Sequence, residues 1–535
     1  LCLEHLKCSS KHIIRGGFKL FNLINDTFNI NEIVDSSSAE VLLENELTLP
    51  ESNPDIEKII STEGRVKINS TLAKEGSVNV DGTLTYNIIY RSNDEETTVS
   101  SMSGKIPFTE EISVAKAKEG MLPQVNPYID YIDADLLDER RCQIKSVISL
   151  DMDIINEHPV DYVSDLESDG TFQAKAKNIK YTDKITELSE EVDISDAVEI
   201  NKNSDEIDEI LKDESEILIT NIDVLDDKML VEGNCKVGFL YTEKNSLNTT
   251  GYVSEEFPFT HYIEIKNSSD NMLKDIDITI GEMTYSTAEN YDDEKKLIEF
   301  KLPFTINAVL YDTIEKNIIT DCYSTDCFLN VESDDINLTL LRDIVDKTVK
   351  YENNFDIVSG SIKDIYTADV SPKISEKRIF DDKYVVDGFL DVNMLYLNGD
   401  INKIDKAYAS LPFTASIDLK EDELSSSNIT SDINISKSGA YRKGNSSVII
   451  NCDINVKMKL RDKEEISIIN NITEGKPIER NKMPSLVFRV VQPGETIWDI
   501  AKNYNLSINY LKELNDIPED NTLDSGSKII IARMV

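Results

Sequence analysis

Four histidines, seven cysteines and a hundred carboxylates make up the reactive inventory of this 535-residue chain. Outside residues 1–19 only His158 and His261 remain, about one domain apart and with no nucleophile motif beside either. A Ser–His or Cys–His relay therefore lacks visible parts. Cys322 and Cys327 form a close thiol pair, but no second pair accompanies them as a zinc site would need. No G-x-S-x-G, H-E-x-x-H or P-loop pattern occurs, and no D-x-D-x-D-G calcium loop. Paired acids carry no information in so acidic a chain. The sequence predicts a non-enzymatic protein with no cofactor and no metal. The stretch whose residue types suit recognition is Pro493-Gly494-Glu495-Thr496-Ile497-Trp498, a glycine turn running into the chain's single tryptophan.

Composition narrows the partners. Lys plus Arg is 56 against 100 for Asp plus Glu, a formal charge of −44. Nucleic acid needs a basic face, and an anionic bilayer repels this chain equally. Hydrophobic residues at 40% are enough for several modest cores. No run of 18 apolar residues exists, so no transmembrane helix and no direct membrane insertion are expected. No secretory signal opens the chain, and an odd number of scattered cysteines reads as reduced thiols in a cytoplasmic compartment. Residues 1–19 are basic and hold two of the four histidines. Arg15-Gly16-Gly17 is what a translated purine-rich ribosome-binding site would encode, so residues 1–37 are expected to be partly non-native or disordered, with the native start near Leu20.

The elements that must position these residues come in three copies. Val80-Asp81-Gly82 with Tyr90 recurs as Val231-Glu232-Gly233 with Tyr241 and as Val386-Asp387-Gly388 with Tyr396, Gly to Tyr always eight residues. Upstream stand Ile56/Ile59/Ile60, Ile207/Ile210/Leu211 and Ile362/Ile365/Tyr366, a spacing that suggests a short helical turn or a strand start. Downstream, Pro-Phe-Thr falls at 107–109, 258–260 and 412–414. The period of about 150 residues is domain-sized. Strict alternation over 80–90, 231–241 and 386–396 predicts a long strand with one buried face, and the glycine in that face a bulge or a close backbone approach. Lys74-Glu75-Gly76, Asp226-Asp227-Lys228 and Asp381-Asp382-Lys383 read as hairpin turns. Closing strands are expected at 143–155, 298–311 and 448–460. The Phe of each Pro-Phe-Thr and Tyr90, Tyr241 and Tyr396 read as core, with the Pro starting an edge strand.

The predicted fold class is mainly β: three tandem β-sandwich-like repeat domains at 38–162, 186–320 and 335–462, then a small β-α-α-β domain at 486–535. Linkers are expected near 163–185, 320–335 and 461–484, the last overlapping 463–485, the polar tether of the final domain. In that domain Leu486–Val491 is a strand, Thr496 and Ser507 cap two helices, and Lys528–Ala532 is the second strand.

Residues 486–535 resemble a LysM domain, through Phe488, Val490, Pro493–Trp498, Ile500-Ala501, Tyr504, Leu511, Leu514-Asn515 and Gly526–Ile529; the family usually has Asp where Glu495 stands. The resemblance implies binding of N-acetylglucosamine polymers, in a groove of Gly494, Glu495, Thr496, Ile517, Pro518 and Glu519. With the three repeats, the whole chain from about residue 38 resembles the SipL-like spore-coat morphogenetic proteins of clostridia, whose repeats are SPOCS domains. That resemblance implies a scaffold of the sporulating mother cell, recruited to the forespore surface. Its implied partners are a SpoIVA-like coat ATPase, bound through the LysM domain, and other coat proteins. The implied partner surface is Leu486, Phe488, Gly494, Glu495, Thr496, Ile497 and Trp498. The alternative is a LysM protein of the spore cortex or wall that reads peptidoglycan directly. Packing between the helices is the expected role of Trp498, with direct ligand contact the alternative.

Overall fold

The computed structural model describes residues 21–535 apart from 94–97, 169–170, 226, 245–248, 267, 359, 425–427, 480–483, 519–520 and 533–535. The expected native start near Leu20, Asp226 of the second hairpin turn and Glu519 of the glycan groove lie outside the described residues.

Each repeat opens and closes on a very long strand. The first contains β1 (Phe21–Thr48), β2 (Ile56–Lys74), β3 (Ser77–Ser92), β4 (Val99–Ser113), β5 (Leu122–Asp138) and β6 (Arg141–Ser168). The second contains β7 (Phe172–Glu199), β8 (Ile207–Leu225), β9 (Lys228–Glu243), β10 (Thr250–Glu264), β11 (Leu273–Ile280), β12 (Thr284–Ala288) and β13 (Leu297–Ser324). The third contains β14 (Cys327–Asp356), β15 (Ile362–Phe380), β16 (Lys383–Asn398), β17 (Lys403–Asp418), the single turn α1 (Glu421–Leu424), β18 (Asn428–Arg442) and β19 (Ser447–Pro477). In repeat 1 the sheet β2-β3-β4 packs on the sheet β1-β6-β5. Repeats 2 and 3 repeat this as β8-β9-β10 with β7-β13-β11/β12, and as β15-β16-β17 with β14-β19-β18. The predicted long strand is the middle strand of the first sheet each time. Val80, Leu84 and Ile88 of β3 meet Ile144, Ile148 and Leu150 of β6 in the core, as alternation requires.

The apolar triplets upstream are strand, not helix. β2 carries bulges at Ile56/Lys58 and Ile59/Ser61, β8 at Ile207/Ile210 and Ile210/Lys212, and β15 at Ile362/Asp364 and Ile365/Thr367. Each extra residue shifts the side-chain period, and two close together turn a period of two into an apparent helical spacing. The hairpins that follow are two-residue turns, with Gly76, Asp227 and Asp381 in the left-handed region.

The repeated glycine and the repeated Phe explain each other. Phe108 lies opposite Gly82, Phe259 opposite Gly233 and Phe413 opposite Gly388 on the neighbouring strand. A Cβ on any of these glycines would strike that ring. At Gly233 and Gly388 it would also strike the carbonyl oxygen of Leu218 or Lys373. The ring covers a backbone that has no side chain of its own. Pro107, Pro258 and Pro412 stand inside the edge strands rather than at their starts; an edge strand tolerates the missing N–H. Tyr90, Tyr241 and Tyr396 are buried, as expected.

The expected linkers are corrected by the structure. Segments 163–168, 172–185, 320–324, 327–335 and 461–477 are strand: β1 pairs β6, β7 pairs β13 and β14 pairs β19 along 28 residues or more of the longer partner. A strand of that length reaches on the order of 90 Å. The inner half of each ribbon is a sandwich wall. The outer halves meet in a three-ribbon stem whose core holds Phe28, Tyr162, Ile179, Tyr181, Ile318, Leu338 and Ile468, with Phe28 stacked on Tyr162 at 4.1 Å. Charged residues fill the outward positions, which is why these stretches read as tethers.

The three repeats close into a ring. Ile60, Leu211 and Tyr366 occupy one repeat position, Ile89, Leu240 and Leu395 another, and all six share one buried cluster. Beside it Glu63, Glu214 and Asp369, each nineteen residues before its repeat's glycine, converge on the ammonium of Lys212 at 2.8, 3.0 and 2.6 Å. The Lys212 side chain is 5% exposed. Burial alone would lower its pKa, but the three carboxylates outweigh that and hold it well above the ordinary lysine value. Burial pushes the Glu63 carboxyl up, Asp369 and Glu214 add to the rise, and Lys212 opposes them. One cation shared by three acids leaves the site short of positive charge.

Three substitutions test this architecture. Lys212→Met strands three carboxylates and should cost about 3–5 kcal/mol in urea unfolding at pH 7. Glu63→Gln keeps an acceptor for Lys212 and removes the excess charge, so it should raise the melting temperature at pH 7. Because the folded pKa of Glu63 is raised, its charge costs stability above the ordinary carboxylate range and nothing below it. The gain should vanish as pH falls through that range. A Glu63→Gln chain less stable than wild type at pH 7 would contradict the charge assignment. Gly388→Ala, which meets both backbone and ring, should cost about 1–3 kcal/mol in the same assay.

Candidate functional site

Residues 486–532 form a small domain of β20 (Leu486–Val490), α2 (Ile497–Tyr504), α3 (Ile508–Asn515) and β21 (Lys528–Ala532), with β20 and β21 antiparallel. Its core is Val491, Ile497, Trp498, Ile500, Ala501, Leu511, Ile529 and Ile531. Thr496 caps α2 in a reciprocal box: its hydroxyl accepts from the Asp499 N–H, and its own N–H donates to the Asp499 carboxylate at 2.9 Å. The Thr496 hydroxyl, which donates to the Asp499 carboxylate at 2.7 Å, and then the Thr496 N–H hold Asp499 below the usual carboxylate range. The Leu514-Asn515 pair has a structural reason too. Asn515 Nδ2 donates to the carbonyls of Leu511 and Ile530, and its Oδ1 accepts from the Ile530 N–H, tying α3 to β21.

Glu495 is committed to the turn. Its Oε1 accepts from Arg489 Nε and Nη2 at 3.0 and 2.5 Å, and its Oε2 from the Gln492 N–H at 3.0 Å. The Arg489 side chain first, and the Gln492 N–H second, hold this carboxyl below its ordinary value. Among the other residues expected at the site, Gly494, Thr496 and Pro518 are exposed, Ile517 is half-buried, and Ile497 and Trp498 point into the core.

The two strands divide the domain's sheet into a packed face and an open one. Val487 and Arg489 point inward opposite Ile531 and Ile529. Leu486, Phe488 and Val490 point outward, 53, 64 and 45% exposed, opposite Ala532, Ile530 and Lys528. This is a compact apolar face with one cation at its rim.

A second face is already occupied. Asp321 near the end of β13 accepts from the Trp498 indole N–H at 2.7 Å with one oxygen, and from Lys502 Nζ at 2.5 Å with the other. The Tyr323 ring stands edge-on to Trp498 at 5.2 Å, and its hydroxyl donates to the Leu506 carbonyl at 2.7 Å. Asn505 Nδ2 donates to the Ser324 carbonyl at 3.0 Å. Asp321 and Tyr323 lie some 180 residues from these partners, and nothing in the local sequence marks them.

The groups considered for catalysis and metal binding lie elsewhere. His158 sits in the first ribbon opposite Ile30, and His261 on β10 opposite Val231, with Glu190 at 3.7 Å from its Nε2. Cys322 and Cys327 are buried free thiols on either side of a tight turn, and burial pushes Cys322 up to about 11. Among the described residues, no cluster of three or more His, Cys, Asp or Glu side chains is arranged to hold a metal, and no helix is long and apolar enough to cross a membrane.

The family described as SipL, SPOCS domain matches residues 55–137, 206–288 and 361–440, once in each repeat. The LysM domain family matches residues 490–532. No curated protein and no solved structure matches the chain. Each SPOCS match covers one three-stranded sheet and the short edge of the sheet packed on it, β5, β11 with β12, or most of β18; the long ribbon strands fall outside all three. With three SPOCS domains closed into a ring and one LysM domain docked on its stem, the chain belongs to the SipL-like family of sporulation proteins.

Proposed function

We propose that this protein is a non-enzymatic scaffold of spore-coat assembly that binds a SpoIVA-like coat ATPase through its LysM domain and is thereby held at the forespore surface. The observation that carries the reading is the open apolar face of Leu486, Phe488 and Val490. Three large apolar side chains standing in solvent on one small sheet suit a protein interface, where desolvated aromatic and aliphatic anchors supply most of the affinity. Gly494 and Thr496 belong to the same expected surface, with Ile497 and Trp498 supporting their turn from within. The ring and stem join the three domains through shared buried clusters, which suits a scaffold. The acidity of the chain keeps it soluble until a partner recruits it.

A second reading is supported by the exposure of Gly494, Thr496 and Pro518, which the contact with the stem leaves uncovered. Those residues suit direct binding of peptidoglycan or another N-acetylglucosamine polymer in the cortex or wall.

The full-length chain carrying Leu486→Ser and Phe488→Ser separates the two. Both positions are exposed, so circular dichroism should match wild type. Binding to the immobilised coat ATPase should weaken at least roughly thirtyfold, the loss of about 2 kcal/mol expected of an interface anchor, and neither chain should be retained on purified peptidoglycan. Unchanged ATPase binding, or retention of both chains on peptidoglycan without ATPase binding, would overturn the scaffold reading.

A further inference from the structure

The Trp498 side of the LysM domain is shut by the chain itself, and the way it is shut differs from every other contact between repeats. The ring is closed by a continuous apolar cluster and the buried Lys212 site. The stem is closed by apolar residues from all three ribbons. The LysM domain, by contrast, has a core of its own to which the stem adds one side chain, Tyr323. Among the described residues, what holds it in place is one half-exposed carboxylate gripping an indole N–H and an ammonium, two side-chain bonds to backbone carbonyls, and the charge of Lys175 on the stem near Asp499. Few contacts, polar and at the solvent margin, give a local opening free energy far below that of the whole molecule. Interfaces of this kind between domains of one chain open and close by default.

We infer that this contact is a reversible latch. Asp321 holds the LysM domain against the end of the second ribbon, with the Trp498 indole N–H and the α2–α3 turn against the stem while the Leu486–Phe488–Val490 face stays open. A ligand that needs the Trp498 side binds only the undocked fraction, so its affinity is reduced by the ratio of docked to undocked chains. Asp321 sets that ratio, because it alone bonds both the indole and Lys502. The regulatory meaning rests on the reading of the LysM domain as the partner-binding module; the latch itself does not.

The experiment therefore uses no partner. Trp498 is the chain's only tryptophan, so its fluorescence reports the latch without labelling. Acrylamide quenching would be measured on full-length wild type, Asp321→Leu, Asp321→Asn and Lys502→Glu. Asp321→Leu and Lys502→Glu should each raise the quenching constant by roughly threefold as the domain leaves the stem, with a larger radius of gyration in small-angle scattering and unchanged far-ultraviolet circular dichroism. Asp321→Asn keeps an oxygen for the indole N–H and should stay nearer wild type than Asp321→Leu. Should Asp321→Leu lose β structure, Lys502→Glu decides, since its side chain is exposed and lies on the other partner. Quenching equal to wild type in folded Lys502→Glu and Asp321→Leu overturns the latch.

Discussion

Lys212 is the point on which the three repeats converge. A fold built from three copies of one unit brings like residues together at its centre, and here the like residues are Glu63, Glu214 and Asp369. Three carboxylates at one buried point repel each other strongly. A single departure from the repeat makes the junction tenable, because Ser61 and Thr367 stand where repeat 2 has Lys212. The rest of the ring is organised around that neutralisation: the apolar cluster of Ile60, Leu211, Tyr366 and their neighbours lies beside it. Asn87 reaches across to the Leu211 carbonyl, and Ser100 and Ser101 donate to Glu209, binding repeat 1 to repeat 2 around the same point. Between repeats 2 and 3, Tyr366 donates to the Thr250 carbonyl.

Away from the centre, order depends on backbone geometry. The glycine of each repeat lets a Phe ring from the edge strand lie flat on the middle strand, and the bulges opposite it, at Ile68/Ser70, Ile219/Asn221 and Ile374/Glu376, bend the neighbouring strand around that contact. The long ribbons then extend one hydrogen-bonded ladder out of each sandwich. Three such ribbons bury Phe28, Tyr181, Ile318 and Ile468 only because the ring holds them side by side. A single two-stranded ribbon would have no hydrophobic face to cover and little stability of its own. Sandwich, ring and stem are therefore parts of one body, and the LysM domain is the part that can move against it.

Much of this was legible in the sequence. Period-two alternation at 80–90, 231–241 and 386–396 determined three equivalent buried strands. The fixed offsets of Gly, Tyr and Pro-Phe-Thr determined that the copies share one fold. The capping residue Thr496 and the glycine turn before it determined where α2 begins, and the LysM pattern that follows carried the recognition of a binding module. These are local properties, set by side-chain period, backbone freedom and capping within a few residues of each position.

The remainder was decided by tertiary structure. Bulges disguised the start of β2, β8 and β15 as helical spacing, because an extra residue is invisible without the partner strand against which it is counted. The stem read as linkers because its apolar residues, such as Ile179, Tyr181, Ile466 and Ile468, are sparse among charges and acquire a core only from the other two ribbons. The same holds at the two polar centres. Nothing near Lys212 in sequence announces that carboxylates from two other domains will meet it, and nothing near Trp498 announces Asp321. A charge or an indole N–H takes its partner from whatever the fold brings within 3 Å. With partners about 150 residues or more away, that choice belongs to the packing of whole domains rather than to any stretch of chain.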